Sequence, residues 1–277
     1  MSIQRALAWS ITWIGLSMLV ALGISQFVGS AQAEAFLTGY ALEKALSIDN
    51  LFVFFMVFSY FGVERAAQRR ALNFGVIGVI VLRGILIFAG VELVQRFEWL
   101  MYVLGAVVIY TGFVMAFGKD NKFDASKSGT VKFVRRLVPV SDKMHGSRFF
   151  VQEMGKRVAT PLFLVVAVIE VMDVIFAVDS IPAIFSVTRD PFIIYSSNIL
   201  AVLGLRSLYF LLLKAHDAFR FVKQGVGLIL WFVGVKMIIP AFWPSVVISN
   251  TASLGVVIGM LTISIVLSVV IKKKDED

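Results

Sequence analysis

Two nine-residue stretches hold the residues of this chain best placed to do chemistry. The first reads Glu43-Lys44-Ala45-Leu46-Ser47-Ile48-Asp49-Asn50-Leu51, the second Asp173-Val174-Ile175-Phe176-Ala177-Val178-Asp179-Ser180-Ile181. Both follow one template: an acid, three residues, a small residue, a β-branched residue, Asp, then Asn or Ser, then Leu or Ile. Each lies in an apolar run long enough to cross a bilayer, and Glu170 precedes the second by about one helical turn. Carboxylates at membrane depth are costly and mark ion pathways or proton relays. Together with the Asn50 amide and the Ser180 hydroxyl they make an oxygen donor set, which favours Mg²⁺, Ca²⁺ or Mn²⁺ over Zn²⁺ or Cu⁺. Met56, Met172 and Met237 lie in or near these spans. A thioether ligand would tilt the choice toward Mn²⁺, although packing is the commoner role for such methionines.

Charge balance narrows the reading. Inside apolar spans stand Glu43, Asp49, Glu170, Asp173 and Asp179, against Arg83, Arg206 and Lys236, while Lys44 is near enough to a span end to snorkel. At roughly 2.5–3.5 kcal/mol per central charge, the set would cost well over about 10 kcal/mol facing lipid, so the groups face one another or water. Arg83 and Arg206 can each pair with a carboxylate, and Lys236 or Lys44 with another, which leaves surplus negative charge suited to a cation. The competing reading is structural, with arginine–carboxylate clasps fastening helices; five acids exceed what two arginines need. On a helix, Glu43, Ser47 and Asn50 share a face, as do Asp173 and Ser180, whereas Asp49 and Asp179 each lie about 120° away from the leading acid. For Asp49 and Asp179 to meet one small ion, their helices must be locally broken. Pro182 removes the hydrogen bond to the Val178 carbonyl, so the break is expected around Val178 to Pro182.

These residues must be positioned by membrane helices. Of 277 residues 59% are hydrophobic, beyond what soluble domains carry. The fold class is therefore an all-α polytopic membrane protein, with eight candidate spans near 7–29, 37–61, 71–93, 98–118, 160–187, 192–213, 224–243 and 251–271. The net charge of +8 comes from loops. Arg65, Arg69 and Arg70, the ten Lys and Arg residues of loop 119–159, Lys214, Arg220 and Lys223, and Lys272 to Lys274 all fall on one side if both termini are cytoplasmic. That is positive-inside topology in a cytoplasmic (inner) membrane, not a nucleic-acid surface. The run 6–28 followed by Ala31-Gln32-Ala33 imitates a signal peptide but is too long for one, and is read as a retained span. There is no cysteine, which excludes thiolate metal sites and disulfides, and His145 and His216 fall in predicted loops. Within loop 119–159, Val131 to Val138 mixes apolar and basic residues, as either a short helix on the anionic leaflet or a solvated linker would. Trp99, Tyr102, Trp231, Phe242 and Trp243 read as interface anchors or packing. No soluble-enzyme motif and no cofactor-binding motif is present.

An internal repeat relates the two halves. Val81-Leu82-Arg83-Gly84 in the third span resembles Gly204-Leu205-Arg206-Ser207 in the sixth, and Gly105, Gly112 and Met115 are spaced like Gly227, Gly234 and Met237. Spans 2–4 and 5–7 thus read as two copies of a three-span unit entering the membrane from opposite sides. This is a 3+3 inverted repeat with a shared midplane site, as in many secondary transporters. The chain divides into repeat 1 (37–118), cytoplasmic loop 119–159, repeat 2 (160–243) and flanking spans 7–29 and 251–271 of a single membrane domain.

The stretches 43–50 and 170–186, with Asp190-Pro191-Phe192, residues 197–209 and Gly234 to Met237, resemble the TerC family of integral membrane proteins. The resemblance covers spans 2–7. It implies a membrane protein associated with tellurite resistance and Mn²⁺ export, with Glu43, Asp49, Asn50, Glu170, Asp173, Asp179 and Ser180 at the family's acidic-motif positions. Tellurite is an oxyanion that an acidic site binds poorly, so any such phenotype is expected to be indirect. The expectation is a non-enzymatic exporter of a divalent cation, Mn²⁺ favoured, with Asp49 and Asp179 as central ligands. Two readings stay open beside it: an exporter of a small organic cation or amino acid, and a non-transporting scaffold that recruits protein partners through loop 119–159.

Overall fold

In the computed structural model, residues 3–118, 129–141, 143–153, 155–213, 221–243, 245–246 and 248–271 are described, without the side chains of Ile3, Asp49 and Phe52. The Asp49 side chain, His216, Lys214, Arg220, Lys272 to Lys274 and the basic residues of 119–128 therefore lie outside the described residues. The helices are α1 (Ile3–Phe27), α2 (Ser30–Tyr60), α3 (Arg65–Arg96), α4 (Leu100–Phe117), α5 (Gly129–Leu137), α6 (Pro161–Phe185), α7 (Pro191–Leu203), α8 (Leu205–Leu212), α9 (Val222–Phe242) and α10 (Asn250–Val270). A hairpin of β1 (Phe150–Glu153) and β2 (Lys156–Ala159) precedes α6.

All eight expected spans are helical, and the chain is an all-α polytopic membrane protein. Among the described residues six helices are long and apolar enough to cross a bilayer, α7 and α8 count as a seventh span if taken together, and α2 has the length but carries Glu43, Lys44 and Asp49. Sequence punctuation sets the boundaries. Thr160 caps α6 by accepting from the Phe163 amide (3.4 Å), and Asp190 caps α7 by accepting from Phe192 (2.9 Å), each with proline next. Gly29, at φ 142°, turns the chain between α1 and α2.

The outward surface is apolar. On α3, Phe74, Ile77, Val81, Ile85 and Phe88 are exposed, while Gly75, Val79, Arg83 and Ile87 are buried. Acyl chains cover such a face, so hydrophobic periodicity does not separate inside from outside, and only glycines and charges mark the inner stripe.

The break expected at Val178 to Pro182 is not there. α6 runs unbroken to Phe185, and α2 is continuous from Ser30 to Tyr60. Pro182 lies one turn from the C-terminus of α6, where losing one backbone bond leaves the ladder intact on its N-terminal side. The bend falls instead in the expected sixth span, at Gly204, where α7 and α8 meet at 40°.

The most extensive helix pair is α4 against α9. A Cβ on Gly112 would lie 2.6 Å from the Trp231 amide nitrogen and 2.7 Å from the Gly227 carbonyl oxygen; one on Gly227 would lie 2.5 Å from the Ala116 amide nitrogen. Gly105 and Gly234 oppose each other similarly, a Cβ on Gly234 falling 2.8 Å from the Gly105 oxygen. The glycines with matching spacing in the two halves are thus the ones that let these backbones touch. Around this pair, α2 packs on α7 and α3 on α6.

Loop 119–159 contains a folded piece. α5 buries Val131 and Val134 and lies along α6, its Thr130 hydroxyl donating to the Met172 sulfur at 3.8 Å, so it is docked on a span rather than solvated as a linker. Its exposed side carries Lys132, Phe133, Arg135, Arg136 and Leu137. The loop's hairpin is tied by Ser141, whose hydroxyl donates to Glu153 Oε1 (2.6 Å), with His145 Nε2 3.3 Å from the same oxygen. The Ser141 hydrogen bond, then His145, hold the Glu153 carboxyl below its ordinary value.

Two expectations follow. Gly112→Val or Gly227→Val pushes α4 and α9 apart and lowers stability by about 1–3 kcal/mol in thermal unfolding of the detergent-solubilised chain. Gly15→Ala and Gly259→Ala, with nothing within 4 Å of the new Cβ, leave the midpoint unchanged. A depressed carboxyl stabilises its folded surroundings above the ordinary carboxylate pKa and loses that contribution as pH falls through the lowered value. Ser141→Ala therefore raises the Glu153 titration midpoint, read by carboxyl ¹³C NMR.

Candidate cation site

The site forms where α2, α3, α6 and α7 meet, each contributing from near its midpoint: Glu43, Arg83, Asp173 and Asn198. All four are buried to within 1% of full exclusion from solvent. Arg83 holds Asp173 with two bonds, Nε to Oδ2 at 3.0 Å and Nη2 to Oδ1 at 2.7 Å, in the fork geometry a guanidinium favours. Its Nη1 donates to Glu43 Oε1. Glu43 is then completed by the Asn198 amide at 3.0 Å on Oε2 and the Ser47 hydroxyl at 3.4 Å on Oε1. Glu43 and Asp173 hold the same position of the repeated template, so one arginine clasps the leading acid of both copies.

A third acid has no such partner. Both carboxylate oxygens of Glu170 are buried without a hydrogen-bond partner among the described residues. They sit against α3, where a Cβ on Gly78 would fall 2.5 Å from them and one on Gly75 3.6 Å away. A buried carboxylate without a donor is stabilised by a proton or by a cation. Ser180 is buried on α6, its hydroxyl also without a partner, and Asn50 is buried on α2.

Asp179 is partly buried and faces the Thr111 hydroxyl on α4, while Asp173 faces Arg83. That divergence is what a straight helix imposes on residues six apart. Asp49 lies in α2 with its side chain outside the described residues. Among the described residues no three acids or histidines gather at metal-binding distance.

The remaining basic residues do not balance the acids in this arrangement. Arg206 lies beyond the bend at Gly204, is exposed, and donates through Nη1 to the Asn73 amide oxygen at 2.7 Å. Lys236 bonds Ser253 (2.9 Å) and Asn250 (3.4 Å) on α10, and Lys44 bonds the Ala201 carbonyl on α7 (2.8 Å). Among the described residues only Arg83, on an unbroken helix with no bend to turn it aside, forms an ion pair with these acids. Met172 and Met237 pack, the first against Thr130 and the second beside Gly105.

Three participants escaped the sequence reading as site residues. Asn198 stands in a stretch quoted above, but nothing in spacing links α7 to Glu43. Gly78 is one glycine among 21, and Thr111 is an ordinary membrane-helix threonine. A buried amide opposite a span carrying an acid is the signal that could have found Asn198.

Removing Arg83 leaves two buried carboxylates uncompensated. Arg83→Leu is expected to cost about 3–5 kcal/mol in detergent unfolding, and adding Glu43→Gln and Asp173→Asn to it restores most of that loss. Asn198→Leu, which strips one donor from Glu43, costs about 1–3 kcal/mol in the same assay.

A family profile described as "Integral membrane protein TerC family" matches residues 28–276. A protein of Photorhabdus laumondii named as a candidate membrane-bound redox modulator, Alx, is 45% identical, the alignment covering 99% of this chain and 87% of that protein. The protein of the same name in Escherichia coli K12 is 44% identical over 97% of this chain and 85% of its own length. A thylakoid membrane protein of Arabidopsis thaliana, TERC, is 43% identical over 95% of this chain and 68% of the plant protein. No solved structure matches. With the profile spanning nearly the whole chain and relatives this similar along their length, this is a multi-pass integral membrane protein of the TerC family.

Proposed function

We propose that the chain exports a divalent cation, Mn²⁺ preferred, across the cytoplasmic membrane, with both termini in the cytoplasm. The observation that carries this reading is the Arg83 guanidinium buried between Glu43 and Asp173, a turn from Glu170, which has no partner among the described residues. Glu43 and Asp173 share one guanidinium, and Glu170, a turn from Asp173, lies against Gly78 with no cationic partner among the described residues, so the cluster has capacity for more positive charge. Two carboxylates with one guanidinium sum to −1; the same two with a divalent ion are neutral. A cation arriving there competes with Arg83, and the arginine keeps the acids apart from one another when no ion is bound. Asp49 and Asp179, the Asp of each template copy, complete coordination with Asn50 and Ser180 as the helices move. The oxygen donors favour a hard ion, and Mn²⁺ among them rests on the family.

An inverted repeat suits this mechanism. Gly105 meeting Gly234 and Gly112 meeting Gly227 is the exchange of equivalents that a two-fold axis between the copies requires, and the matched packing of α2 on α7 and α3 on α6 agrees with it. The redox role in the relatives' names has no thiol to act through in this chain.

The test is Mn²⁺ flux in proteoliposomes. Asp49→Asn, Asp179→Asn, Glu43→Gln and Asp173→Asn are each expected to lower flux at least about tenfold, the loss of one charged ligand interaction. Wild-type flux in both Asp49→Asn and Asp179→Asn would remove the metal-site reading.

A further inference from the structure

A cavity of about 450 Å³ opens between α1, α3 and the α7–α8 bend, lined by Trp9, Trp13, Asn73, Val76, Leu203 and Arg206. Among the described residues it shares no lining side chain with the acidic cluster and holds no carboxylate. Its one charged group is Arg206, whose partner among the described residues is the neutral Asn73 amide. We propose that this cavity binds an anionic phospholipid, its phosphate on Arg206 and its acyl chain along Trp9, Trp13, Val76 and Leu203.

Charge is the first reason. A guanidinium inside a span region needs an anion, and Asn73 supplies only an amide dipole. Phosphate oxygens match the arginine fork, and the Asn73 amide nitrogen stands beside it as a further donor, whereas the Ser207 hydroxyl already donates to the Gly204 carbonyl at 2.9 Å.

Depth is the second. α3 has 32 residues, or about 48 Å of helix, against about 30 Å of hydrocarbon, so about 9 Å overhangs at each end. Asn73 lies eight residues into α3, about 12 Å from its start, just inside the hydrocarbon boundary. This end of the bundle also carries Arg5, Arg65, Arg69 and Arg70, the basic side that attracts an anionic leaflet.

The lining is the third reason, and it selects a lipid over free phosphate. Trp9 is 54% exposed on the outer side of α1, where acyl chains lie, and tryptophan favours the level between headgroup and chain. A small inorganic anion would leave the apolar walls uncovered.

The experiment uses the full chain purified in detergent. Thermal unfolding and native mass spectrometry follow addition of phosphatidylglycerol, phosphatidylcholine or inorganic phosphate. Phosphatidylglycerol is expected to raise the midpoint and to remain as a retained adduct, and Arg206→Gln weakens its binding about tenfold or more while Arg206→Lys loses less. Should Arg206→Gln not fold, quenching of wild-type tryptophan fluorescence by brominated phosphatidylglycerol, greater than by brominated phosphatidylcholine, gives the same support without a variant. Equal effects of the two lipids, unchanged binding in Arg206→Gln, or inorganic phosphate matching phosphatidylglycerol would each overturn the proposal.

Discussion

One guanidinium constrains the centre of this molecule. Arg83 is buried, 1% exposed, with two carboxylates from two other helices, Glu43 on α2 and Asp173 on α6. Because an arginine keeps its proton, the charge must be answered where it stands. That requirement fixes the rotation of α2, α3 and α6 about their own axes and draws Asn198 of α7 to the remaining oxygen of Glu43. In a bilayer, where apolar side chains gain nothing by preferring each other to lipid, such polar contacts and close glycine packing hold a bundle in register. The glycines of α4 and α9 supply the second kind of contact.

The same cluster is unfinished as an ion cluster, which is why it reads as function and not as fastening alone. A structural clasp would be complete with one arginine and one acid. Here the arginine serves two acids, and Glu170 sits a turn from Asp173, against Gly78, with neither oxygen paired among the described residues. Excess acid buried at the bundle's middle is a standing cost, and a protein that binds and releases cations has a use for it.

Much of this was legible in the sequence because membrane cost leaves marks. Helical spans, the acidic template, the paired glycines and Arg83 as a balancing charge all stand out, since charges and small residues are the exceptions in an apolar chain. What stayed hidden depended on direction. Both faces of α3 are apolar, so periodicity could not say that Val81 meets lipid and Val79 the core. Arg83 and Arg206 look equivalent in the repeat, but the bend at Gly204 turns only the second away, toward Asn73. Pro182 promised a break that its place near a helix end does not cause. The described part of loop 119–159 holds a helix and a hairpin that touch α6, a tertiary docking that local composition does not encode.

A divalent cation that uses this cluster has to compete with Arg83 for Glu43 and Asp173. Equilibrium Mn²⁺ binding to the purified chain, read from the loss of the free-ion electron paramagnetic resonance signal, tests it most directly. Saturable binding is expected in the wild type, falling at least about tenfold in Glu43→Gln and in Asp173→Asn. Unchanged binding in both variants would contradict it.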